Sequence, residues 1–300
     1  GNTPMSCVAL VDILHEAGLP HELCQVILCD NEGAEKLVTD KRVNFLSFIG
    51  SAKVGWMLRS KISPGTRCAL EHGGVAPAVV TQHANLDDNI SPLVKGGFYH
   101  SGQVCVSVQR IYVHETILDD FCERFVKEVK NLQTGDALNE NTDCGPMITP
   151  DETDRVEKWV NEAVEEGAEV LQGGQRINDY FFEPTVLLNP AEESTISKEE
   201  VFGPVVCIYS YSDEEEVIER CNQLPYAFQA AAITDNLEEA LMLTQRINAT
   251  AVMVNDHTAF RVDWMPFGGR NESGMGLGGI RYSMHDMSRE KLIVIKSKNL

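Results

Sequence analysis

The sequence has no run of about 18 apolar residues, so no transmembrane helix is expected. Its start, Gly1-Asn2-Thr3-Pro4, lacks the basic and then apolar pattern of a secretory signal. Positive charge is scarce. Lys and Arg total 25 against 45 Asp and Glu, a net charge of −20. Such a field repels phosphate backbones and anionic lipid, which argues against nucleic-acid and membrane partners. The nine cysteines (7, 24, 29, 68, 105, 122, 144, 207 and 221) contain no C-x-x-C pair and no Cys/His cluster of zinc spacing, so no metal is expected. An odd count leaves at least one thiol unpaired. Several cysteines sit in apolar runs, as Cys207 does in Val205-Val206-Cys207-Ile208, and read as small core residues. A reduced, cytoplasmic compartment is the simplest reading. Low-complexity tracts and internal repeats are also missing.

What remains is an ordinary globular composition, 43% hydrophobic and 23% charged, which excludes disorder, collagen and coiled coil. At 300 residues the chain has room for about two domains. Folding would bury roughly three quarters of its surface.

Strand-like runs alternate with helical periods, the pattern of an α/β protein. Met5 to Ala17 predicts a helix closed by Gly18 and Pro20. Strands are expected at Gln25–Leu28, Val43–Phe48, Arg67–Leu70, Thr185–Leu188, Val205–Tyr209, Ala230–Thr234 and Ala251–Asn255. Thr149 and Glu152 have capping-box spacing ahead of a stripe formed by Val156, Trp159, Val160, Ala163 and Val164. Helices are also expected at Glu214–Cys221 and Leu237–Ile247. Leu292-Ile293-Val294-Ile295 predicts a last strand with no neighbour in sequence, one that would seek a sheet edge in another subunit.

Gly274-Met275-Gly276-Leu277-Gly278-Gly279 matches G-x-G-x-x-G. A dinucleotide fingerprint needs a strand before it and an acid about 20 residues on. Here a loop precedes it, so it reads as a turn entering a helix.

Five other segments carry chemistry-bearing residues. In Phe48-Ile49-Gly50-Ser51-Ala52-Lys53-Val54-Gly55 a strand runs into Gly50 and a helix starts after Ser51, which suits a pyrophosphate or is a plain capped helix. Leu70-Glu71-His72-Gly73-Gly74 places a carboxylate at a strand end before two glycines, where backbone can meet ligand; a surface turn has the same pattern. Ser101-Gly102-Gln103-Val104-Cys105 places a thiol after a turn, either an exposed nucleophile or a core residue. Glu199-Glu200-Val201-Phe202-Gly203-Pro204 and Trp264-Met265-Pro266-Phe267-Gly268-Gly269 fit a site or ordinary strand-entry packing.

Taken in order, these segments and their spacing resemble the aldehyde dehydrogenase superfamily. Glu71 and Cys105 are 34 residues apart, as in the family, and Gly145-Pro146-Met147-Ile148 and Glu183-Pro184-Thr185 also match. The resemblance runs from about Thr3 to Lys296. It implies a partial Rossmann-like cofactor domain over 1–73, a complete α/β catalytic domain over 74–265, and a return to the cofactor domain with an oligomerisation strand over 266–300. Homodimers or homotetramers would follow.

By the resemblance, Cys105 is the nucleophile that forms a hemithioacetal, which hydride transfer to the nicotinamide of NAD or NADP turns into a thioester. Glu71 is the base that activates water against it, and the Cys105 N–H helps to bind the oxyanion. Gly50, Ser51 and Gly55 match the pyrophosphate turn. Glu200 matches the residue bonded to the nicotinamide ribose, with Phe202 beside the ring. Phe267 would line the acyl site. The chain departs from the family at His72, where Leu is usual, and at Val75, where Lys is often found. Family members are nearly 500 residues long, and their Pro-Trp-Asn and Lys-Pro segments have no counterpart here. The chain therefore reads as the C-terminal part of a longer enzyme, expected to be inactive alone.

The run Asn255 to Phe267 resembles members acting on phosphonoacetaldehyde, lactaldehyde, glyceraldehyde 3-phosphate or sulfolactaldehyde. Arg261, six residues before Phe267, could fork onto an anionic tail or sit in a structural ion pair. A CoA-acylating relative and a non-catalytic binding protein on the same fold are the competing readings. Glu71 argues against the first, and Glu71 with Cys105 against the second.

Overall fold

The computed structural model describes residues 2–299, which divide into two compact units. The first comprises residues up to 46 together with 56–68. It holds helix α1 (Met5–Glu16), ended at Gly18 with φ +97°, and helix α2 (Asn31–Thr39), capped by the Asp30 carboxylate on the Gly33 N–H. Neither helix buries a residue. The strand expected at Gln25–Leu28 does not form. A strand exists only in a ladder, and none of the described strands pairs with this exposed segment. Strand β1 (Phe45–Ile49), helix α3 (Ala52–Lys61) and strand β2 (Arg67–Glu71) each contribute residues to both units.

The second unit is built on a seven-stranded sheet. Its strands are β3 (Pro77–Val80), β4 (Arg110–His114), β5 (Glu169–Gln172), then, past a small ribbon of β6 (Arg176–Asn178) and β7 (Phe181–Phe182), β8 (Thr185–Leu188) and β9 (Val205–Tyr211). After the short β10 (Tyr226–Ala227) come β11 (Gln229–Ile233) and β12 (Ala251–Val254). The order is β12-β11-β3-β4-β9-β8-β5, parallel except for β5 against β8. Parallel strands are covered on both faces, which is why these segments read as unbroken apolar runs. Alternate residues feed two cores. Ala78, Val80, Ile111, Val113, Val206 and Ile208 pack with residues of α4 (Leu86–Phe98) and α5 (Leu118–Val129). Val79, Tyr112, Cys207 and Tyr209 pack with those of α6 (Pro150–Glu165) and the short α7 (Thr195–Lys198), α8 (Glu214–Asn222) and α9 (Leu237–Arg246).

In α6 the stripe holds at Val156, Val160 and Ala163, which are buried, whereas Val164 is exposed. The capping box is not made. Thr149 is the N-cap residue but its side chain makes no capping bond. Pro150 pre-sets the first turn, and the Glu152 carboxylate is taken by Arg155 at 2.7 Å.

The chain closes through β13 (Arg270–Asn271), which pairs with β10, and β14 (Gly274–Met275), which joins a three-stranded sheet in the order β1-β2-β14. Helix α10 (Ile280–Met287) follows. Leu292–Ile295, expected to pair with a sheet edge in another subunit, is exposed and joins no ladder among the described residues.

Candidate active site

Glu71 is the last residue of β2, and β2 pairs antiparallel with β14 so that Glu71 lies opposite Gly274. Just beyond it, the His72 N–H donates to the Ser273 carbonyl at 3.0 Å. The buried His72 ring places Nδ1 2.8 Å from the Glu272 carbonyl. A carbonyl only accepts, so Nδ1 carries the ring proton. The glycine-rich run 274–279 thus forms the wall behind Glu71. A Cβ on Gly278 would already touch the Glu71 carboxylate at 3.8 Å. Gly274, Gly276 and Gly279 all take positive φ, so the run that imitates a nucleotide fingerprint is a turn leading into α10.

Cys105 follows a tight left-handed turn, with φ of 51° at His100, 56° at Ser101 and 68° at Gly102. Two bare backbones meet there: a Cβ on Gly102 would strike the Gly203 carbonyl oxygen. The turn is tied to the Gly145–Ile148 segment. The buried Ser101 hydroxyl donates to the Gly145 carbonyl at 2.5 Å. The Gln103 amide donates to the Pro146 carbonyl at 3.1 Å and accepts from the Ile148 N–H at 2.9 Å. The Ser107 hydroxyl, within 3.1 Å of both the Gly96 and Gly97 carbonyls, fixes the exit of the loop to the end of α4.

These two strand-and-loop systems bring Cys105 Sγ to 3.9 Å from Glu71 Oε1. The thiol is pushed up to about 12 by burial first, then by the Glu71 and Glu200 carboxylates, with Arg261 pulling the other way. It is a thiol at neutral pH. Glu71 is also raised by burial, with Arg261 and the Cys105 thiol lowering it. The Glu71 carboxylate opposes ionisation of the thiol, whereas the thiol's hydrogen bond favours the carboxylate, so the proton of the pair stays on sulfur.

Arg261 places its guanidinium carbon 4.2 Å from the centre of the Phe267 ring. Among the described residues it makes no ion pair, so the structural-pair alternative is not realised. Phe267 is buried against Val106 and Phe228, beside Val104, Cys105 and Ala259. The fully buried Thr258 donates to the Val106 carbonyl at 2.6 Å and pins the 255–267 loop to the nucleophile loop.

The remaining expected residues lie around the same centre. The Gly50 N–H donates to the Glu71 carbonyl at 3.1 Å, and the Ser51 carbonyl accepts from the Val54 and Gly55 N–H groups at the start of α3. Gly55 lies under the His72 ring, where a Cβ would overlap Nε2. Glu200 lies over Gly73, whose missing side chain makes the space for its carboxylate, and accepts a bond from the Gly74 N–H. Burial pushes Glu200 up to about 7 against the pull of that N–H and of Arg155. Its Oε1 is buried without a hydrogen-bond partner. Phe202, at φ 46°, lines a cleft of about 790 Å³ with Gln103, Met147 and Ile148. Among the described residues no group of three His, Cys, Asp or Glu could hold a metal ion, and no helix is long and apolar enough to cross a membrane.

Gln109, Thr258, Ser273 and Arg155 were not legible as site residues. Nothing in linear spacing shows which backbone each would meet.

A model of the aldehyde dehydrogenase family matches residues 1–293 of the chain. The chain belongs to this family. It is 39% identical over 294 residues to the 3-sulfolactaldehyde dehydrogenase of Priestia aryabhattai, covering 98% of this chain and 61% of the relative. Two solved structures share the fold closely. Aldehyde dehydrogenase 21 of Physcomitrella patens, in complex with the reaction product succinate, has a TM-score of 0.91 at 38% identity, covering 95% of this chain and 59% of that one. A glyceraldehyde-3-phosphate dehydrogenase of Methanocaldococcus jannaschii complexed with NADP has a TM-score of 0.92 at 36% identity, covering 96% and 63%. The chain thus spans about three fifths of the length of the relatives it matches.

Proposed function

We propose that the protein carrying this chain oxidises a small aldehyde with an anionic tail to the carboxylic acid, with NAD or NADP as cofactor. The observation that carries this reading is the approach of Cys105 Sγ to within 3.9 Å of Glu71 Oε1, in the field of Arg261, which lowers both groups. Cys105 forms a C–S bond to the aldehyde carbon as its proton is released to water. The Cys105 backbone N–H helps to hold the oxyanion that results. Once the carbon is at the thioester level, Glu71 Oε1 takes a proton from water as that water attacks. The C–S bond breaks, the acid leaves, and Glu71 returns that proton to sulfur, which restores both the thiol and the base.

The residues present fit a dinucleotide. Glu200 Oε1 is a buried acceptor with no partner, which suits a ribose hydroxyl. Gly50 and Ser51 lead into the start of α3, whose positive dipole end suits the pyrophosphate, and Gly55 lets that helix pack against His72. When bound, the nicotinamide supplies the hydride acceptor for the oxidation. Similarity to an NADP-bound relative and to 3-sulfolactaldehyde dehydrogenase supports the cofactor class and the anionic tail. We also propose that these 300 residues alone do not turn over aldehyde, and that the whole protein is an oligomer.

The test is rapid-mix kinetics on the whole protein with Glu71→Gln. Loss of the base leaves one equivalent of reduced cofactor formed quickly and slows later turnover by about 100- to 10,000-fold. The native protein needs no CoA. A native protein that stops after one turnover until CoA is added would make it an acyl-CoA-forming enzyme instead.

A further inference from the structure

Four residues past Cys105, Gln109 is buried, and its side chain leaves the nucleophile loop for another segment. Nε2 donates to the Glu199 carbonyl at 2.7 Å and to the Ile196 carbonyl at 3.2 Å. Oε1 accepts from the Val201 N–H at 2.9 Å. The amide therefore pairs with the backbone on both sides of Glu200, as one more strand would. Its own main chain is engaged separately, the Gln109 carbonyl accepting from the Cys207 N–H at 2.8 Å in the β4–β9 ladder.

We propose that Gln109 is a positioning residue: its carboxamide clamps Glu199 and Val201 so that the Glu200 carboxylate is held over Gly73, facing the cofactor beside Cys105. The inference rests on the cofactor role of Glu200 proposed above.

The geometry leaves the clamp little slack. A buried amide that fills both donor positions and its acceptor fixes three points of a segment that is otherwise irregular. Arg155 adds a fourth point through its bond to the Val201 carbonyl at 2.7 Å. Gly102 lies against the Gly203 carbonyl just downstream. Glu200 is thus set by partners of its neighbours, while its own Oε1 stays free. Because Gln109 and Cys105 share one loop, the clamp also ties the spacing of carboxylate and nucleophile to five residues of chain. A methionine at 109 has nearly the same shape and none of the hydrogen bonds. It leaves the Val201 N–H and the Glu199 carbonyl without these partners, so the segment shifts toward water.

The test is Gln109→Met in the whole protein, with two readouts. The first is amide hydrogen exchange resolved at Val201 and Cys207. We expect exchange at Val201 to accelerate at least tenfold while Cys207 is unchanged. The second is dinucleotide affinity by calorimetry as a function of pH. An ionised Glu200 is the better acceptor for a ribose hydroxyl, so native affinity tightens as pH rises through about 7. Gln109→Met weakens binding several-fold and moves that midpoint toward acid, because a released carboxylate regains water. Gln109→Asn, which keeps a buried amide but withdraws it by one carbon, gives the same two changes. Unchanged Val201 exchange overturns the proposal. So does a uniform rise that includes Cys207, which makes Gln109 a packing residue only. Glu200→Gln is the separate control. If it alters neither affinity nor its pH dependence, the cofactor role of Glu200 fails, and with it the functional half of the inference, whatever the exchange at Val201 shows.

Discussion

The Arg261 guanidinium lies over the Phe267 ring, 4.2 Å from its centre, and no carboxylate among the described residues pairs with it. In a chain of net charge −20 an unpaired arginine near a thiol is a strong electrostatic signal. It lowers both Glu71 and Cys105 from the positions that burial sets. Arg261→Ala is expected to reduce kcat/KM for an anionic aldehyde by roughly 10- to 100-fold, the worth of a charge-assisted bond. A neutral aldehyde of similar size should lose much less. Steady-state kinetics on succinic semialdehyde and propionaldehyde make the comparison, and equal losses on both would remove Arg261 from substrate recognition.

The reactivity of the Cys105 thiol should follow its neighbours' charges. Removing the negative charge of Glu71 with Glu71→Gln lowers the thiol toward its ordinary value, so alkylation by iodoacetamide speeds up at a fixed alkaline pH. Arg261→Ala slows it, because the cation that favours the thiolate is gone. Peptide mass spectrometry resolves Cys105 from the exposed Cys7 and Cys29, which serve as internal standards. Labelling of Cys105 that ignores both substitutions would contradict the electrostatic account.

Glu200 makes stability depend on pH. Its folded-state value is raised from 4.5 to about 7, so the native state holds this proton more tightly than the unfolded chain does. The stability that follows is fully present below the unfolded value, is lost as pH rises through the folded one, and is flat beyond it. Glu200→Gln is neutral at every pH and removes that loss. Its stability relative to the native protein should therefore grow across this window, by up to about 1.4 kcal/mol per pH unit. Urea unfolding on the acid and alkaline sides measures it; a gap that shrinks with pH would reverse the sign.

Gly102 is expected to tolerate no side chain. It combines φ +68° with a backbone carbonyl where Cβ would stand. Left-handed strain and overpacking each cost about 1–3 kcal/mol, so Gly102→Ala should destabilise by roughly 2–6 kcal/mol. Denaturant unfolding checks the magnitude. Gly65 also has positive φ but has open space around it, so Gly65→Ala should suffer only the conformational part.

Much of the fold could be read in advance because parallel, doubly covered strands are written as apolar runs. Val205–Tyr209 and Ala230–Thr234 appear as strands within a residue or two of the observed bounds. The run Gln25–Leu28 does not form a strand, because composition supplies a preference for extended chain and cannot supply a partner. The same limit explains the capping box at Thr149. Spacing identified the helix start, but Arg155, three residues on from Glu152, competes for its carboxylate. The glycines of 274–279 were legible as a turn, yet their place behind Glu71 depends on the pairing of β14 with β2, about 200 residues apart in the chain.

The sequence by itself determined the α/β alternation, the net charge, and the order of residue types that identifies the family and its candidate nucleophile and base. Those follow from local periodicity and from linear spacing. Only the tertiary structure decided that Arg261 is unpaired, that Glu200 keeps a free buried oxygen, and that Gln109 bonds the backbone on both sides of Glu200. Each of these depends on which backbone and which charge stand within about 3–4 Å, the reach of hydrogen bonds and close ion pairs, and that distance bears no relation to separation along the chain.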